Sequence, residues 1–383
     1  MEYKDLIYMD NAATTPVSDS VLEAMLPFLK NQYGNASAVY RIGRDAHQAV
    51  EDARRRIARV LHAGAMDIYF TSCGTEADNW ALKGTARKLA AQGKKHIITT
   101  NIEHHAILHS AAALEAEGFE VTYLPVDEKG RVTPEQVAAA IRPDTALVSV
   151  MHANNEIGTI MPVAEIGAIC REAGVLFHTD AVQTAGILPI DVEAMNIDML
   201  SVSAHKFNGP KGVCVLYCRR GIYPQNFMDG GAQERGHRAG TENVAGIVGM
   251  ARALEDAAAV REEAAARMAV IRDHLQEELL KIPDSRVNGD TEHRLPGTLN
   301  MSFDGIDGQS LLFSLDLKGV EASSGSACAS GSLDPSHVLL ALGLPYGQAH
   351  GSLRLTVGKY NTMEEADRVI EAVTETVREL RGK

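Results

Sequence analysis

The chain has 383 residues, 45% of them hydrophobic, and a formal net charge of -13 at pH 7. Its length and apolar content support a large buried core in more than one domain. The charge excludes nucleic acid and anionic membrane as main partners, because both need a basic face to neutralise phosphates.

The opening residues, MEYKDLIYMDNAATTP, lack the basic start and apolar core of a secretory leader, and no later run approaches the roughly 18 apolar residues that span a bilayer. Five cysteines spread over the chain do not make a disulfide framework and suit a reducing, cytoplasmic setting. From about residue 50 to 220, short β-rich runs (IYFTS, HIITT, EVTYLPV, ALVSVMH, VLFHTD, MLSVSAH and GVCVLYC) alternate with helix-length segments. This alternation predicts an α/β fold with a mostly parallel sheet sandwiched by helices, and ligands at the carboxyl ends of its strands. Cys214 and Cys218 fall on one face of the last strand and read as core, since no second ligand pair for zinc is evident. A long helix over 251–282 then links to a smaller α+β part, built from LPGTLNMSF, GVEASSG, SLRLTVG and a closing helix, MEEADRVIEAVTETVREL.

Three stretches carry chemistry. SVSAHKFNGPKG (201–212) ends a strand with Ser203, His205 and Lys206. A lysine at the mouth of such a sheet is a candidate Schiff-base amine, although by itself it also suits a surface lysine. VLFHTDAVQ (175–183) delivers Asp180 at a strand end, where it could pair with a pyridinium nitrogen or cap a helix. FTSCGTEADN (70–79) runs from strand through Gly74 and Thr75 into a helix, whose first amides would hold a phosphate. Neither GxxxxGK[ST] nor GxGxxG occurs, which argues against a dinucleotide.

Taken with YMDNAATTP, EHHAIL, NNEIGT, HTDAVQ, RAGTEN and SSGSAC, these motifs run in order along nearly the whole chain. Together they resemble the pyridoxal-phosphate cysteine desulfurases of the NifS and IscS type, in the class V aminotransferase family. The resemblance implies a fold-type I transferase with a large cofactor-binding domain over 15–257. Residues 1–14 and 258–383 would form a small domain carrying the Cys328 loop. It implies a homodimer that converts L-cysteine to L-alanine and holds the sulfur as a persulfide on Cys328, for iron-sulfur assembly or another thiolation. Lys206 would carry pyridoxal 5'-phosphate, and Asp180 would pair with its ring nitrogen. Asn155 and Gln183 would contact the ring hydroxyl, and His104 would stack on the ring and shuttle protons. Gly74, Thr75, Ser203 and His205 would hold the phosphate, joined by Thr241 of the other subunit. Arg354 would clamp the substrate carboxylate, with Asn155 nearby.

Under that reading Cys328 sits among Ser, Gly and Ala because its loop must reach the substrate and then a sulfur acceptor. In a complex with an iron-sulfur scaffold, Cys328 could also join a transient shared cluster, although one cysteine cannot supply four ligands. The chain departs from the family at Ala36 and Tyr40 of NASAVY, at Cys73 and at Ala232. Those departures bear on the substrate loop and the phosphate site, and Cys73 is given no catalytic role. The short stretch after the last helix leaves the acceptor open. The rival readings are a selenocysteine lyase, an aminotransferase on the same fold, and a binding scaffold without turnover.

Overall fold

The computed structural model describes residues 5–324 and 335–382. Seven strands form the main sheet: β2 (Ile68–Thr71), β3 (His96–Thr100), β4 (Glu120–Leu124), β5 (Thr145–Ser149), β6 (Leu176–Asp180), β7 (Met199–Ser203) and β8 (Cys214–Cys218). Their order is β2-β8-β7-β6-β5-β3-β4. All run parallel except β8, which lies antiparallel between β2 and β7. Most of these strands are buried along their whole length, as expected where helices cover both faces.

The two faces fill separate apolar clusters. On one side Val148, Leu200 and Val215 pack against α2 (Arg41–Val60), α7 (Val163–Ala173) and the first half of α8 (Val244–Leu279). On the other, Leu147, Met199 and Leu216 meet α5 (His105–Ala116) and the run from α3 (Gly74–Asn79) through a π-helical turn at Trp80–Gly84 into α4 (Thr85–Ala90). Cys214 and Cys218 are buried in β8, in keeping with the core reading.

A third cluster lies around an antiparallel sheet of order β12-β10-β9, made of β9 (Ser285–Val287), β10 (Thr298–Phe303) and β12 (Ser352–Thr356). Helices α9 (Gly308–Leu317) and α12 (Met363–Leu380) cover it. The short β1 (Ile7–Tyr8) joins the same cluster by pairing in parallel with β11 (Val320–Glu321). The 36 residues of α8 span about 54 Å and serve both cores: Ile247 to Leu254 enter the first and Met268 to Leu279 the third. This helix begins seven residues before the run read from composition, because the Asn243 side chain accepts the Gly246 N–H and caps it. The remaining α-helices among the described residues are α1 (Asp19–Lys30), α6 (Pro134–Ala140), α10 (His337–Ala341) and α11 (Tyr346–His350).

The sheet order reverses between β3 and β5, because β4 lies outside β3 while β6 and β7 follow on the far side of β5. A crevice opens outside the strand ends at such a reversal. The loops that leave β2, β3, β5, β6 and β7 all empty into it.

Candidate active site

A cavity of about 370 Å³ occupies that crevice, a size that suits a small organic ligand. Lys206 enters it one turn after β7, and its Nζ donates to the carbonyls of Ala13 at 2.8 Å and Ala12 at 2.5 Å. Those carbonyls belong to an N-terminal segment held beneath the lysine by Thr15, whose N–H and hydroxyl both donate to the His205 carbonyl. Gln183 donates to the Ala12 carbonyl at 3.0 Å, so the same segment orients two side chains of the site.

Asp180 ends β6 at the cavity floor and accepts the Val182 N–H at 2.8 Å. Burial pushes its pKa up to about 6, against the Val182 hydrogen bond and the charge of Lys206, which hold it down. His104 caps α5: its Nδ1 accepts the Ala106 N–H at 3.1 Å, which leaves the proton on Nε2. Burial and then the Lys206 charge press its pKa down to about 4, so the ring is neutral at physiological pH. His205 is likewise held near 4, by burial and then Lys206, and its Nδ1 meets the Thr14 hydroxyl at 3.1 Å.

Gly74 and Thr75 open α3 at the cavity edge, and their amides have no preceding turn to bond. Ser203 and His205 face the same end of the cavity. Cys73, at the N-cap, accepts the Glu76 N–H through its sulfur at 3.4 Å, a local capping contact. Arg354 comes from β12, more than 100 residues away in sequence from the other lining side chains except His337. It is 1% exposed and donates to the Asn155 carbonyl at 3.0 Å and to Asp10 at 2.7 Å.

Ten of the residues singled out from the sequence therefore line one cavity: Gly74, Thr75, His104, Asn155, Asp180, Gln183, Ser203, His205, Lys206 and Arg354. Thr241 does not. It is exposed on the loop before α8, away from this cavity. Cys328 lies outside the described residues. The described residues on either side of it do border the site: Ser323 pairs with Arg354 through backbone hydrogen bonds, and Ser336 donates to the buried Glu156 carboxylate. His337 Nε2 lies 3.1 Å from the Glu103 carbonyl. Sequence reasoning missed Asp78, His105, Glu156 and His337, all of which line the cavity. His105, beside His104 in EHHAIL, Asp78, inside FTSCGTEADN, and Glu156, inside NNEIGT, sit in motifs that were read for other residues, whereas His337 sits in none of them.

The aminotransferase class-V family model matches residues 7–369. The chain belongs to the class-V aminotransferase family. Within it, the chain is 54% identical to cysteine desulfurase IscS of Methanosarcina thermophila over 98% of this chain and 93% of that one. It is 52% identical to cysteine desulfurase IscS of Clostridium botulinum, over 98% and 95%. Among solved structures, a NifS-like protein superposes with a TM-score of 0.91 at 41% identity, covering 97% of this chain and 98% of that one. A structure titled SspA in complex with cysteine superposes with a TM-score of 0.82 at 37% identity, over 93% and 99%. For this class-V member the cofactor is pyridoxal 5'-phosphate, and the donor set fits it. The cavity offers a lysine amine for an aldehyde, a buried carboxylate for a ring nitrogen, a neutral histidine, and free amides with hydroxyls for a phosphate.

Proposed function

We propose that the protein is a pyridoxal-phosphate-dependent cysteine desulfurase that converts L-cysteine to L-alanine and takes the sulfur onto Cys328. One observation carries the reading: a single cavity collects Lys206, Asp180, His104 and the start of α3 together with Arg354, so groups suited to the cofactor share one space with a carboxylate clamp. The relatives named cysteine desulfurase, and the neighbour titled as a complex with cysteine, support the choice of substrate.

Bound pyridoxal phosphate supplies an electron sink through its protonated ring nitrogen. Asp180 keeps that nitrogen cationic, while Asn155 and Gln183 orient the ring by its hydroxyl. Gly74, Thr75, Ser203 and His205 hold the phosphate. Lys206 would be the covalent anchor, and its Nζ would serve as the base for the substrate α-proton. His104, neutral with its proton on Nε2, would stack on the ring and move protons. Arg354 grips the substrate carboxylate. The Cys328 thiolate would attack the substrate sulfur: an S–S bond forms, the C–S bond breaks with its electron pair left on the β-carbon, and protonation of that carbon together with return of the α-proton from Lys206 completes alanine.

The same reading has a homodimer in which Thr241 completes the partner's phosphate site, consistent with its exposure on the loop before α8. It has a large cofactor-binding domain over 15–257 and a small domain formed by 1–14 and 258–383. The sulfur passes to an iron-sulfur scaffold or another acceptor, and Cys328 can join a cluster shared with that scaffold. The setting is cytoplasmic, in line with free thiols at Cys73, Cys170, Cys214 and Cys218. Among the described residues no helix is long and apolar enough to cross a membrane.

The test is turnover of L-cysteine by cofactor-loaded protein in the presence of a reductant. Alanine and sulfide are expected in equal amounts, with neither product in Lys206→Ala and its cofactor absorption moved to that of the free aldehyde. Undiminished alanine formation by Lys206→Ala would overturn the reading.

A further inference from the structure

Behind Asp180 stands a second carboxylate that the scheme above does not use. Asp78, on the inner side of α3, is 1% exposed and lines the same cavity. Its Oδ1 is buried with no hydrogen-bond partner among the described residues, and lies 3.7 Å from His178 Nε2. That histidine offers no charge to balance it. Its Nδ1 meets the Ser149 hydroxyl at 2.9 Å and its Nε2 the Ser201 hydroxyl at 3.1 Å, and burial pushes its pKa down to about 3. The other titratable groups that face Asp78 are all acids: Asp180 from β6, Glu103 after β3, the Cys73 thiol ahead of α3, and the Cys214 thiol of β8.

Two buried carboxylates facing one another do not both ionise, and they titrate as a pair. Their surroundings decide which keeps the charge. Asp180 accepts a backbone N–H and feels Lys206, whereas Asp78 has the Ser201 hydroxyl on its side against a neutral histidine, burial and a wall of acids. We propose that Asp78 is a positioning residue held as a neutral carboxylic acid, keeping the one proton the pair retains and leaving the carboxylate on Asp180, where a cationic ring nitrogen needs it. Burial first, and then the Asp180 charge, hold the Asp78 pKa well above the ordinary range. The inference rests on the cofactor reading above for its purpose, but the protonation of Asp78 can be read separately.

The experiment is infrared spectroscopy of the holoenzyme carrying ¹³C-carboxyl aspartate, paired with the absorption of the bound cofactor as pH is varied. At pH 7.5 the wild type should show a protonated aspartic-acid C=O band, and Asp78→Asn should lack it. Asp180→Asn removes the facing charge, so the pH at which that band disappears should fall, which assigns the band without relying on Asp78→Asn to fold. The amide in Asp78→Asn is as uncharged as the proposed acid, so the acidic step in the cofactor absorption should stay where it is in the wild type. Three results would overturn the proposal: no such band at pH 7.5, a band that survives Asp78→Asn, or an acidic step displaced in that variant. If the cofactor absorption ignores Asp180→Asn, the ring-nitrogen pairing fails instead, whatever the infrared band does.

Discussion

Arg354 combines two properties seldom found in one side chain: it is 1% exposed, yet it borders the cavity that would receive substrate. Asp10 and the Asn155 carbonyl hold its guanidinium in place, so its orientation is fixed before any ligand arrives. A preset guanidinium favours a bidentate grip on a carboxylate, which a lysine ammonium cannot reproduce despite its equal charge. Arg354→Lys should therefore raise KM for L-cysteine by about tenfold or more, the equivalent of losing roughly 1.4 kcal/mol, while the bound-cofactor absorption persists. Steady-state kinetics with L-cysteine checks this, and an unchanged KM would count against the clamp. At this scale Lys206, Asp180, His104 and Arg354 were legible in the sequence because each falls in a motif. Asp78 falls in a motif too, FTSCGTEADN, but was passed over, because a polar residue in the first turns of a helix looks like any solvated position until packing buries it.

The loop between Gly230 and Asn243 depends on its anchors. Glu234 and Arg235 adopt left-handed backbone angles, with φ of 44° and 59°, a conformation that side chains other than glycine rarely hold. Glu234 is kept there by a bidentate pair with Arg54, at 2.8 Å for each contact, and by accepting the Phe70 N–H at 2.9 Å. Both side chains are 3% exposed. Glu234→Gln would leave Arg54 with Glu51 as its remaining carboxylate partner and should cost about 3 kcal/mol, measurable as a lower denaturant midpoint. A cost below about 1 kcal/mol, the range of exposed pairs, would mean the pair is solvated in solution. The strands of the main sheet were readable because buried β-rich runs alternate with helix-length spacers. The antiparallel direction of β8 was not, since periodicity carries no polarity. The π-helical turn at Trp80–Gly84 was equally invisible, and its first residue is tied to a distant segment by the Trp80 indole donating to the Gln225 carbonyl at 3.1 Å.

Across the whole molecule, the apolar residues of α1 do not all face the core. Leu22, Leu26 and Leu29 are 38 to 59% exposed at helical spacing, and Tyr33, Val39 and Tyr40 beyond them are more than half exposed. Such a stripe calls for a covering surface, and a second copy of the chain is the cover that the proposed dimer supplies. Leu26→Glu combined with Leu29→Glu should move the protein from dimer to monomer in sedimentation equilibrium, and a dimer that ignores both charges would locate the interface elsewhere. The change of character near residue 250 falls on α8, which runs from the first cluster into the third. The pairing of β1 with β11, and of Asp10 with Arg354 across 344 positions, was not legible, because no local pattern marks contacts so distant in sequence.

The central claim is that the sulfur of L-cysteine arrives on Cys328, in the segment that follows Ser324. Peptide mass spectrometry after L-cysteine is added to the cofactor-loaded protein tests it most directly. One added sulfur is expected on the Cys328 peptide and none in Cys328→Ser. A bound cofactor that turns over L-cysteine with no sulfur on that peptide would contradict the account.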